Sequence, residues 1–173
     1  MRNLVLTVIG DDRAGLVSAL ADIITSQGGN WERSQMTELA GKFAGIVVVT
    51  ISEARADALI EATRALDGLL DVSVYTGTGD AADGRNGWNS LTLEVLGNDH
   101  PGIVHELSKA LSDRGLSIET ITTSTREAPM AGGMLFEAQI QVRVPPDIDL
   151  ADVRADLERL ASELLVDLGI DEE

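Results

Sequence analysis

The residues best suited to chemistry lie in a short stretch that occurs twice. Gly10-Asp11-Asp12-Arg13-Ala14-Gly15-Leu16-Val17 is answered by Gly97-Asn98-Asp99-His100-Pro101-Gly102-Ile103-Val104. Each copy follows an alternating apolar run and opens a helical pattern. A helix start offers unpaired backbone N–H groups and the positive end of the helix dipole, and both attract a carboxylate. Gly15 and Gly102 let a ligand approach that backbone closely. Asp12 and Asp99 beside it repel a phosphate but accept hydrogen bonds from an ammonium group. A free amino acid brings both charges. The same residues also have a purely structural use, with Asp12 or Asp99 capping the helix, Pro101 in the first helical position and the glycines easing a turn.

Other chemistries find less support. The first loop has aspartate where a dinucleotide fingerprint needs its second glycine, and no parallel doubly wound pattern follows. His100 and His105 are five residues apart and have no evident third ligand, although Glu106 is adjacent, so no metal is expected. Ser18, Ser108, Thr122, Thr123 and Thr125 stand in no context that activates a nucleophile, and cysteine is absent. No carboxylate pair stands out as an acid and a base. Neither catalysis nor a cofactor is expected.

The elements that must position the loops follow from periodicity. Asn3 to Ile9 alternates as a strand covered on both faces, and Leu16, Leu20, Ile23 and Ile24, widened by Val17 and Ala19, form a helical stripe that Gly28-Gly29 ends. Strands are expected over Asn30 to Leu39 and Phe43 to Ile51. A helix from Ser52 through Leu66 and a strand from Leu69 to Tyr75 complete the unit. Residues 77–88, rich in glycine and small polar groups, read as a linker. The pattern then restarts at Asn89, and Gly10 and Gly28 recur as Gly97 and Gly115 at one constant interval. Strands over Ser90 to Leu96, Leu116 to Arg126 and Phe136 to Val144 and a helix capped by Asp149 follow, then a last strand over Leu165 to Ile170. Glu127 to Gly133 makes a longer turn than its counterpart.

Strand, helix, strand, strand, helix, strand, with two right-handed crossovers, gives an α+β fold: a ferredoxin-like βαββαβ unit, its four-stranded antiparallel sheet carrying two helices on one face. Two such domains are expected, over 1–76 and 89–173. The 173 residues, 44% of them hydrophobic, suffice for both cores. The net charge of -16 opposes direct nucleic-acid binding. Acid is concentrated in the second half, which suits a basic protein partner or simply solvation. No leader or membrane-spanning run is read in the sequence, and the lack of cysteine fits a reducing compartment, so a cytoplasmic protein is expected.

The duplicated pattern, with Gly97-Asn98-Asp99-His100-Pro101-Gly102-Ile103 opening a helix and Gly115-Leu116-Ser117-Ile118 entering the next strand, resembles the ACT domain, a small-molecule-binding regulatory module. Two copies with nothing else attached resemble the glycine cleavage system transcriptional repressor group. The resemblance implies amino-acid sensing, with the ligand held between the first loop of one unit and the start of the second strand of a facing unit. Carried over by position, it implies Asp99, His100, Pro101, Gly102 and Ile103 with Ser117, and Asp12, Arg13, Ala14, Gly15 and Leu16 with Asn30. Arg13-Ala14 departs from the usual residue-proline pair, so Arg13 either pairs with the ligand carboxylate or blocks the site. The implied partners are an amino acid, with glycine first to test, and a transcription regulator or an enzyme of amino-acid metabolism. A purely structural interaction module is the alternative. Unpaired sheet edges and an open sheet face make a homodimer the expected assembly.

Overall fold

A computed structural model of the chain describes residues 1–77, 87–129 and 132–172. The chain divides into two units, Met1–Asp83 and Gly84–Glu173. The expected linker, 77–88, lies mostly at 78–86, outside the described residues.

The first unit is built on β1 (Arg2–Asp11), whose alternation sends Leu4, Leu6 and Val8 into the core. It pairs antiparallel with β3 (Lys42–Ile51) on one side and β4 (Asp71–Thr76) on the other, and β2 (Asn30–Leu39) lies outside β3, giving the order β2-β3-β1-β4. The β2–β3 hairpin turns in two residues, Ala40 (φ 53°) and Gly41 (φ 78°), the doubly positive backbone that matches strand twist. Helices α1 (Leu16–Ser26) and α2 (Glu53–Ala62) cover one face with Leu16, Leu20, Ile24, Ala56 and Leu59. Each fully buried leucine contributes about 1.5–3 kcal/mol.

Two expectations change here. Only one face of β1 is covered: Val5 and Thr7 are half-buried and Ile9 is exposed, because both helices lie on the side of Leu4, Leu6 and Val8. The helix expected to reach Leu66 leaves α-geometry at Ala62 and finishes as a 3-10 turn over Thr63–Leu66, where the buried Thr63 hydroxyl donates to the Ile60 carbonyl at 2.8 Å.

The second unit repeats this plan. Strands β5 (Asn89–Asn98), β6 (Ser117–Glu127), β7 (Met134–Val144) and β8 (Val166–Glu172) take the order β6-β7-β5-β8, all antiparallel. Helices α3 (Ile103–Asp113) and α4 (Leu150–Leu164) pack Leu107, Leu111, Val153 and Leu157 on Leu93, Ile140 and Val142. Asp149 caps α4, its Oδ1 accepting from the Ala151 N–H at 2.7 Å. Among the described residues, no helix is long and apolar enough to cross a membrane.

Candidate functional site

The two loops leave their sheets alike. Beyond the Asp11–Lys42 pair of the β1–β3 ladder, the Asp12 N–H donates to the Gly41 carbonyl at 2.9 Å. Beyond Asn98–Leu135, the Asp99 N–H donates to the Met134 carbonyl at 2.9 Å. Each aspartate backbone is thus tied to the neighbouring strand before the chain turns into its helix. The turn ends on a left-handed glycine, Gly15 (φ 91°) or Gly102 (φ 97°), which is the N-cap residue of α1 or α3. A side chain would be strained in that backbone conformation.

The capping use of the aspartates is therefore not realised. Glycine holds the N-cap because the backbone needs positive φ there, so Asp12 and Asp99 stay upstream at the strand end and Pro101 precedes the cap. A glycine cap supplies no side-chain acceptor to the first-turn N–H groups. The Ile103 N–H turns back to the His100 carbonyl at 3.3 Å, and the Gly15 and Gly102 carbonyls accept from Ala19 and Glu106, both at 2.9 Å.

The side chains around the two loops differ. Asp12, Arg13, Ala14 and Gly15 are exposed, as are Asp99, His100, Pro101 and Gly102, whereas Leu16 and Ile103 are buried in their cores. Only the backbone of Leu16 and Ile103 is available to a ligand. Arg13 donates from Nη2 to the Gly68 carbonyl. His100 keeps Nδ1 at 3.2 Å from the Pro101 carbonyl and Nε2 at 4.0 Å from Glu106 Oε2. Lys42 pairs with Asp11, and its hydrogen bond and charge hold that carboxyl below the usual range. Among the described residues no group of three or more His, Cys, Asp or Glu could hold a metal ion.

The two halves of the carried-over set do not meet within one unit. Asn30 opens β2 opposite Thr50, which pairs with Asn3 at the start of β1, while Asp12 follows the end of β1. The eight steps along the strand from Asn3 to Asp11 separate the ends by about 27 Å. Ser117 likewise stands opposite Arg143, which pairs with Ser90, at the far end of β5 from Asp99. A small ligand cannot touch both the loop and the second-strand start of one unit.

Long-range pairing also assembles groups that periodicity did not single out. Glu32 accepts from Asn30 Nδ2 at 2.7 Å and from Thr50 Oγ1 at 2.6 Å, and these bonds, Thr50 first, lower its carboxyl below the ordinary 4.5. A depression of about 660 Å³ lies on the uncovered face of the second sheet, among Glu94, Thr122, Ser124, Glu137, Gln139 and Asp167. A bulge in β2 between Trp31 and Arg33 helps place the first group, and no local pattern announces either.

The ACT domain family matches the chain twice, over residues 2–74 and 91–162. The chain is 26% identical over 162 residues to the glycine cleavage system transcriptional repressor of Escherichia coli (strain K12), an alignment spanning 93% of this chain and 85% of that protein. Among solved structures, an unknown protein from Galdieria sulphuraria superposes with a TM-score of 0.85 at 27% identity, covering 99% of this chain and 98% of the other. A candidate glycine cleavage system transcriptional repressor shares the fold, with a TM-score of 0.74 at 18% identity, covering 99% of this chain and 97% of the other. Two four-stranded sheets, each with two helices on one face, agree with the two family matches, and the chain belongs to the ACT domain family as two ACT domains in tandem.

Proposed function

We propose that this chain is a non-enzymatic regulator that senses an amino acid, glycine foremost, and acts on a transcription regulator by protein contact. The observation that supports sensing most directly is the glycine-capped start of α3 beside the exposed carboxylate of Asp99. There the first-turn N–H groups face a ligand carboxylate while Asp99 takes its ammonium group. Ser117 of a facing unit completes the site, because within one unit it stands at the other end of the sheet. The net charge of -16 favours protein contact over DNA. The resemblance to a glycine cleavage repressor supports the choice of ligand and partner.

The domains, residues 1–76 and 89–173 joined by 77–88, transmit binding by a population shift. The ligand changes partner affinity to the extent that it prefers one arrangement of its two facing units. The working assembly is a homodimer. Calorimetric titration of the folded protein with glycine and then the other amino acids tests sensing; glycine heat is the expected result, and silence from every amino acid removes it. Affinity capture is expected to recover a transcription regulator, whereas recovery of a metabolic enzyme alone would favour a regulatory-subunit role.

A further inference from the structure

The two units differ on the sheet face that their helices leave uncovered. In the first sheet, cross-strand register aligns Arg33, Val48, Val5 and Tyr75 in one row, Gln35, Ile46, Thr7 and Ser73 in the next, and Thr37, Ala44, Ile9 and Asp71 in a third. Ile9, Ile46 and Tyr75 are 47%, 51% and 57% exposed. In the second sheet the corresponding rows run through Asp171, Thr92 and Gln141, through Glu94 and Gln139, and through Leu96 and Glu137. On the two central strands these positions are apolar but for Thr7 in the first unit and mostly polar or acidic in the second, so the first face has an apolar centre with a polar rim of Arg33, Gln35, Thr37, Ser73 and Asp71.

We infer that the uncovered face of the first sheet is where two copies of this chain meet, face to face about a twofold axis. This rests on the homodimer reading above and names its surface. The second sheet's face is a poor cover, since burying Glu94 of its central strand against Val5 and Ile46 would strip a carboxylate of water without a partner. The face that matches in chemistry and size is the first sheet of a second copy, an isologous contact. Four strands about 4.8 Å apart, used over about 25 Å, present roughly 500 Å² per copy and roughly 1,000 Å² in the pair. That reaches the lower bound of a specific interface, so the dimer is expected to be concentration-dependent, with Ile46 near the centre of the patch and Tyr75 as its aromatic anchor.

Sedimentation equilibrium on the full chain across about 1–100 μM tests this. The wild type is expected to pass from monomer to dimer, and Ile46→Glu to raise the dissociation constant at least roughly tenfold. Gln139→Glu, at the corresponding position of the second sheet, should leave association unchanged. Ile46→Ser, checked by circular dichroism, repeats the test with a milder change if the glutamate variant misfolds. A wild type that stays monomeric overturns both this inference and the homodimer reading. A dimer that neither Ile46 variant weakens overturns the surface alone.

Discussion

Arg13 donates from Nη2 to the carbonyl oxygen of Gly68, 3.3 Å away, so the guanidinium of the first loop is drawn to the turn ahead of β4. At the same place in the second unit stands His100, which contacts the Pro101 carbonyl and Glu106 beside its own helix. The second loop is therefore the one expected to take the amino acid. A charge-assisted hydrogen bond contributes about 1.5–3 kcal/mol, so Asp99→Ala should weaken glycine binding about 10- to 100-fold in calorimetry. Asp12→Ala should change it less than about threefold. Equal losses from both variants would contradict this ranking.

Gly10 and Gly97 occupy the same place in the two repeats but meet different obstacles. A Cβ on Gly10 would stand 2.4 Å from the Leu69 carbonyl oxygen, and one on Gly97 would stand 2.5 Å from Val166 Cγ1. The Leu69 carbonyl moves only with the backbone of its turn, whereas a valine can change rotamer. Gly10→Ala should destabilise its unit by about 3 kcal/mol and Gly97→Ala by about 1 kcal/mol in urea unfolding. The opposite order would mean that the Leu69 turn yields more easily than Val166.

The Asp149 cap gives a third expectation. Removing the acceptor of the 2.7 Å bond from the Ala151 N–H should cost about 1 kcal/mol in Asp149→Ala. Asp149→Asn keeps an acceptor and should stay within a few tenths of a kcal/mol of the wild type. Equal losses in thermal unfolding would assign the effect to charge at the start of α4 instead.

Glu32 should titrate below 4.5, because Thr50 and Asn30 donate to its ionised form. A lowered carboxyl pKa contributes stability above the unfolded value, and that contribution disappears as the pH falls through the folded value. Carboxyl-carbon NMR titration should show the midpoint rising toward 4.5 in Asn30→Ala and in Thr50→Val. A wild-type midpoint at or above 4.5 would show that these hydrogen bonds do not form in solution.

Much of the fold was legible because its signals are local. Leu4, Leu6 and Val8 declare a strand by alternation, and Leu107 and Leu111 a helix by their spacing. The end of α2 was not legible, since the shift into a 3-10 turn depends on how Thr63 and Leu66 are buried against the unit. Nor was the open face of β1: Val5 and Ile9 are as apolar as Leu4 and Val8, and only the position of both helices on one side distinguishes them. At the loops, the acidic and glycine chemistry was readable. The assignment of the N-cap to Gly15 and Gly102 in place of the aspartates needed the backbone angles.

By itself the sequence determined the duplication, the order of elements and the types of group at each loop, because all of these depend on residues close together in the chain. Tertiary structure alone decided that Asn30 and Ser117 stand at the opposite ends of their sheets from Asp12 and Asp99. Each helix runs back along its sheet before the second strand begins. Antiparallel pairing then sets the start of that strand level with the start of the first, a register made between residues far apart in the chain.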